Sequence, residues 1–182
     1  MRKLAALTAL VALPLVLFAG SSMAHGDGKG NFSARLSGYE EVPSISTNGQ
    51  GRFEASVREN EIRFTLWYAD LTTAPTAAHI HFAQASVAGG VIAFLCGGGG
   101  KPACPGSGTV TGTIVPSNII GPSDQGIAAG EFAEVVRAMQ YGVTYVNAHT
   151  STFPNGEIRG QIRHGRGHDD FGRDKKHGDD DD

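Results

Sequence analysis

Cysteine is scarce in this 182-residue chain, long apolar runs are confined to one end, and clustered basic residues are missing. Two cysteines, Cys96 and Cys104, are too few for the paired Cys-x-x-Cys array of a structural zinc module. Downstream of Ala19 no apolar run approaches the roughly 20 residues that a helix needs to cross a bilayer, so no later segment is expected to be an integral membrane helix. Lys and Arg number 15 against 18 Asp and Glu, with no basic stripe, and nucleic acid is not an expected partner because phosphate binding needs clustered cations. Catalytic motifs are absent as well. Pro105-Gly106-Ser107-Gly108 lacks the first glycine of a nucleophile elbow and its strand-to-helix setting. The Gly97–Gly100 run enters no helix and lacks the Lys-Ser/Thr ending of a phosphate loop. No acid/base or nucleophile constellation stands out, and no repeat of fixed period is visible.

What is present begins with the N-terminus. Arg2 and Lys3 precede an uncharged stretch, Leu4 to Ala19, dominated by Leu, Val and Ala. Ser22-Met23-Ala24 then offers small residues at the two positions a signal peptidase reads. Residues 1–24 are expected to be a cleaved secretory signal, which makes the protein secreted or periplasmic. Removing Arg2 and Lys3 leaves 13 basic against 18 acidic residues, a net charge of −5. In an oxidising compartment Cys96 and Cys104 are expected to form a disulfide across Gly-Gly-Gly-Gly-Lys-Pro-Ala, contributing no more than about 2–3 kcal/mol.

His25 to Gly30 is polar and glycine-rich and reads as a flexible leader. Beyond it, short runs of period-two alternation are separated by Gly, Pro, Asn and Ser, the pattern of an antiparallel β domain. Strands are expected over Phe32–Gly38, Gly51–Val57, Ile62–Tyr68, Ala77–Phe82, Gly90–Leu95, Gly106–Val115, Val143–Thr150 and Glu157–Arg163. Gly51–Val57 and Ile62–Tyr68 look like a hairpin, with Trp67 on the face opposite Phe64, Leu66 and Tyr68. One helix is expected, Glu131 to Gln140, where Phe132, Val135, Val136 and Met139 make one apolar stripe and Gly142 supplies the C-terminal cap. Residues 164–182 hold one aromatic and almost no aliphatic side chains, too little apolar surface to offset the entropy of ordering, and are expected to be a disordered His/Asp-rich tail.

The chemistry-bearing residues are histidines. His79 and His81 are two apart on an expected strand, so both imidazoles share a face while Ile80 and Phe82 take the other. His149 shares a later strand face with Tyr145 and Asn147. Three convergent imidazoles suit Zn(II), Cu(II) or Ni(II), and a three-His set with an open position is an arrangement used in catalysis. Histidines in β domains also serve in hydrogen-bond networks without metal, and both readings stay open on spacing alone. Imidazole must be neutral to ligate, so a metal held here is expected to weaken below about pH 6. Glu157 and Arg159 read first as a buried ion pair bracing a hairpin; Glu157 and Asn147 read otherwise as groups that orient a ligand histidine. His25, as a new N-terminus, and His164, His168 and His177 among aspartates are weaker metal candidates, better read as leader and solvated tail.

Three segments resemble the CHRD domain, a family named for its occurrence in chordin. They are Leu36-Ser37-Gly38-Tyr39-Glu40-Glu41-Val42-Pro43, Ala78-His79-Ile80-His81, and Tyr145-Val146-Asn147-Ala148-His149-Thr150 followed by Pro154-Asn155-Gly156-Glu157-Ile158-Arg159-Gly160-Gln161-Ile162. The resemblance spans residues 31–163 and implies a mostly β domain, an antiparallel β-sandwich of Greek-key-like type with one short late helix. It also implies an extracellular setting, since in chordin such domains belong to an extracellular antagonist of secreted signalling proteins. Phe82-Ala83-Gln84 follows the His-Ile-His triplet where the family usually has glycine, and the Cys96–Cys104 insertion looks local to this chain. The function expected is an exported binding module holding a transition metal, copper or zinc, at His79, His81 and His149. The alternatives are a copper-dependent, superoxide-dismutase-like oxidoreductase on the same histidines, or a structural domain that binds an extracellular protein partner.

Overall fold

Alternating apolar residues in the first half of the chain set the architecture: Phe32, Ala34 and Leu36, then Phe53, Ala55 and Val57, then Ile62, Phe64, Leu66 and Tyr68 are all buried while their neighbours face outward. The computed structural model describes residues 30–165; the expected signal peptide, the leader up to residue 29 and the tail beyond residue 165 lie outside the described residues. The strands are β1 (Gly30–Ser37), β2 (Gln50–Arg58), β3 (Glu61–Ala69), β4 (Pro75–Phe82), β5 (Gly90–Cys96), β6 (Gly108–Ile114), β7 (Thr144–Thr150), β8 (Ile158–Gln161) and β9 (Arg163–His164), with helix α1 (Phe132–Gln140) before β7. Gly30, expected in the leader, opens β1, and His164, expected to start the tail, pairs with Phe32.

Every strand pairing is antiparallel, and the strands form one continuous sheet in the order β5-β4-β7-β8-β1-β2-β3-β6, with β9 beside β1. The sheet curls until it nearly closes on a single core. Its edge strands β5 and β6 approach one another, and a disulfide joins Cys96 at the end of β5 to Cys104 in the loop that leads to β6. The expected hairpin is present, with Val57 opposite Ile62 and Gly51 opposite Tyr68. Tyr68 is buried at its ring and donates its hydroxyl to the Pro105 carbonyl at 2.6 Å, so the loop entering β6 is pinned to β3.

Helix α1 closes one end of the core with Phe132, Val135, Val136 and Met139. Its end follows from Gly142, whose φ of +67° a side chain resists. Gly142 N–H donates to Met139 O and Val143 N–H to Ala138 O, which satisfies the last helical carbonyls and turns the chain into β7.

The junction between β8 and β1 is tight. A Cβ on Gly160 would lie 2.2 Å from the Arg35 carbonyl oxygen, so this position admits no side chain without moving backbone. Gly160→Ala is expected to cost about 1–3 kcal/mol in urea unfolding through overpacking. Gly106→Ala, with nothing within 4 Å, is expected to stay within about 0.5 kcal/mol of the parent.

Candidate metal centre

The pleat of β4 sends Ala78 and Ile80 into the core and His79 and His81 to the other face. β7 does the same: Val146 and Ala148 join the core, while Tyr145, Asn147 and His149 share the histidine face. The β4–β7 register then sets His79 opposite Asn147, His81 opposite Tyr145 and Ala77 opposite His149. This face is not left to solvent. His79 and His81 are buried, and the segments 83–89 and 151–156 supply carbonyls to their neighbourhood. One potential ligand nitrogen from each of His79, His81 and His149 lies within 4.8 Å of the others.

The hydrogen bonds decide where the protons sit. A carbonyl oxygen can only accept, so His81 Nδ1–H donates to Gly89 O at 2.9 Å and His149 Nδ1–H donates to Pro154 O at 2.9 Å. A neutral imidazole carries one N–H, which leaves Nε2 of both rings as a lone pair. His79 Nδ1 lies 3.0 Å from His149 Nε2 and supplies the N–H of that contact. The Asn147 amide oxygen, Oδ1, also lies 3.0 Å from His149 Nε2. Nε2 of His79 and Nε2 of His81 are buried and have no hydrogen-bond partner.

Burial keeps the rings neutral. It pushes His79 from 6.5 down to about 3, helped by the nearby His149 and His81. It pushes His81 down to about 4, with His149 and Arg159 adding to the effect and the Gly89 carbonyl opposing it. His149 is lowered by burial against the opposing Pro154 carbonyl. The threshold near pH 6 expected from an ordinary imidazole therefore moves to lower pH in the folded chain.

An aromatic and cationic frame surrounds the rings. Phe94 of β5 packs edge-on against His79 with centroids 4.4 Å apart. Tyr145 stacks on His81 at 4.7 Å, and the Arg159 guanidinium lies 3.5 Å from the Tyr145 ring centroid. Arg159 is 2% exposed and donates through Nη2 to Gln84 O and Val87 O.

Glu157 does not play either part expected of it. It makes no ion pair with Arg159 among the described residues and no hydrogen bond to a histidine. Its carboxylate accepts from Thr47 Oγ1, Thr72 N–H, Thr72 Oγ1 and Thr150 Oγ1 at 2.7–2.9 Å. Burial raises its pKa, but these four bonds outweigh burial and hold it below the usual carboxylate value. Asn147 does contact His149 as expected of an orienting group. Glu41 went unnoticed in the sequence: burial pushes its carboxyl up to about 7 despite the Val42 backbone, Arg159 and Asn147, and its Oε1 is buried without a partner. Only its place in the first of the three motifs marked it. His164 packs edge-on against Phe32, apart from the cluster, and His25, His168 and His177 lie outside the described residues.

Comparison with known families matches the CHRD domain to residues 32–162 of the 182. The chain belongs to the CHRD-domain family. The match includes all three clustered histidines, Glu41, Asn147 and Arg159. No curated protein and no solved structure matches the chain. The CHRD match supports the fold and the placement of the motifs, and it leaves the chemistry to the geometry above.

Two predictions come from this site. Between about pH 6.5 and 4.5 the unfolded chain gains protons on His79 and His81 that the folded chain refuses, and the lowered His149 acts in the same direction, so these residues stabilise the fold above 6.5 and lose that contribution as pH falls. Glu41 acts in reverse, because its folded pKa is raised: its contribution is greatest below 4.5 and disappears as pH rises through about 7. His79 and His81, with His149 adding in the same direction, against one carboxyl make the net slope positive, at about 1.4 kcal/mol per pH unit per net proton. Urea unfolding of the metal-free protein should show lower stability at pH 5 than at pH 7; a flat or rising profile toward acid would contradict this protonation pattern. Separately, Glu157→Gln should cost about 1.5–3 kcal/mol in urea unfolding, the worth of a hydrogen bond to a charged group.

Proposed function

We propose that this CHRD domain is an exported metal-binding module that holds zinc or copper on Nε2 of His81, Nε2 of His149 and a ring nitrogen of His79. The observation that carries the reading is the pair of buried, partnerless Nε2 atoms on His79 and His81. A packed polar network supplies a partner for each buried nitrogen, because an unmade hydrogen bond in the interior costs about 1–3 kcal/mol. Here the Nδ1–H of His81 and of His149 is anchored by a backbone carbonyl; the opposite nitrogen is free in His81 and accepts only from His79 in His149, and such carbonyl anchoring is what orients a metal-ligating imidazole. The rings are neutral well below pH 7, so no proton must be displaced before ligation.

Dimensions agree with a small adjustment. Zinc–nitrogen bonds of about 2.0–2.1 Å keep two ligand nitrogens within roughly 4.2 Å of each other. The set spans up to 4.8 Å and contracts by a few tenths of an ångström on loading, at the cost of the His79–His149 hydrogen bond. His149 is only partly buried, so a further ligand would approach from its side of the cluster. Imidazole donors suit both zinc and copper, and the three-His set does not choose between them. Export is supported by the charged-then-apolar N-terminus with its Ser22-Met23-Ala24 exit and by the Cys96–Cys104 bond.

The test is metal content after loading with zinc or copper, on the full mature chain carrying His25→Ala, His168→Ala and His177→Ala. The expected result is one equivalent. His81→Ala and His149→Ala should weaken binding by more than the roughly 10–100-fold that outer-shell changes cost. A folded sample that retains no metal would overturn the reading and turn attention to a protein partner.

A further inference from the structure

The disulfide loop does more than join β5 to β6. Cys96 pairs with Ala78 and Phe94 pairs with His79, so the loop springs from the strand positions beside the first histidine. The loop is folded on itself: Gly97 N–H donates to Pro102 O at 2.7 Å and Lys101 N–H to Gly98 O at 2.9 Å. Lys101 Nζ donates to Thr113 O at 2.7 Å and to Asn118 Oδ1 at 3.3 Å, which pins the loop to β6 and to the turn after it. Its backbone then lies against the Phe94 ring. A Cβ on Gly98 would sit 2.5 Å from Phe94 Cε1, and one on Gly99 would sit 2.6 Å from Cδ2. Glycine is required because the aromatic ring occupies the space of a side chain. The far edge of this stack is His79, 4.4 Å from Phe94 centroid to centroid at 87°.

We propose that the Cys96–Cys104 loop is a clamp that positions His79 in the metal centre, acting through Phe94. His79 needs such a device. His81 and His149 are each anchored by a backbone carbonyl, whereas the Nδ1 of His79 is held by another ligand, a bond that metal entry breaks. With that bond gone, Phe94 at 4.4 Å is the nearest aromatic contact left to keep the ring from swinging, with His81 farther off at 5.4 Å. Phe94, Gly98 and Gly99 are positioning residues, and the disulfide fixes the loop that holds them. The inference rests on the metal-binding reading above.

The experiment compares the full mature chain with three variants: Cys96→Ser with Cys104→Ser, Gly98→Ala, and Phe94→Leu. Serines replace a reductant because free thiolates bind zinc themselves. In the metal-free proteins, imidazole resonances are read by NMR. His79 should shift or broaden in every variant that folds, while His81 stays in place. Zinc affinity, read by competition with a chelating dye, should fall at least about tenfold, the lower end of an outer-shell effect. Unchanged His79 resonances in the folded variants would overturn the clamp, and so would His79 and His81 moving together, which would mean general loosening. If the parent takes up no zinc, the metal reading fails by itself, and the NMR comparison still decides whether the loop holds His79. Gly98→Ala keeps the disulfide intact, so the test stands even if the serine pair fails to fold.

Discussion

Everything at the histidine face depends on one constraint: neutral imidazoles must be buried on the outer side of a β-sheet without hydrogen-bond partners for all their nitrogens. The β4–β7 register creates the problem by placing His79, His81 and His149 side by side. The covering loops bury the rings, with Gly89 O and Pro154 O each taking one N–H. Two lone pairs remain inside. A fold that only needed to pack could put apolar residues at positions 79 and 81, since replacing both partners of a buried polar contact by apolar groups is nearly neutral. These two partnerless lone pairs are what the proposed metal site rests on.

The electrostatic surroundings are organised around the same rings. Arg159 is buried without a carboxylate within salt-bridge distance among the described residues, and its charge is met by two carbonyls and the face of Tyr145. Glu41, the carboxyl near Asn147 and Arg159, is pushed to about 7 by burial and can carry a proton at neutral pH. Glu157 sits apart, ionised and held by three threonines, where it ties segments near residues 47 and 72 to β7. One buried carboxylate is thus committed to architecture, while the other is associated with the site.

Much of this was legible before any coordinates. The face shared by His79 and His81 follows from the period of a strand, and so does the burial of Ile80 between them. The helical stripe from Phe132 to Met139, the hairpin of β2 and β3 and the disulfide were equally local. The misses were long-range. Glu157 meets Thr47 across 110 residues and Thr72 across 85, a pairing that no spacing announces, whereas an ion pair with Arg159 two residues away was the nearby guess. Arg159 instead spans to carbonyls of residues 84 and 87. Glu41 lies where Pro43 ends the first strand pattern, and only the closed sheet brings it beside Asn147. Sheet order was likewise hidden, because β4 leaves β3 and pairs with β7 on the far side.

The most direct measurement of the central claim is X-ray absorption at the zinc edge on the mature chain loaded with one equivalent. The account predicts three imidazole nitrogens at about 2.0–2.1 Å with a fourth light atom completing a tetrahedron. A shell of oxygens, or fewer than three imidazoles, would place the ion elsewhere and contradict a metal centre at His79, His81 and His149.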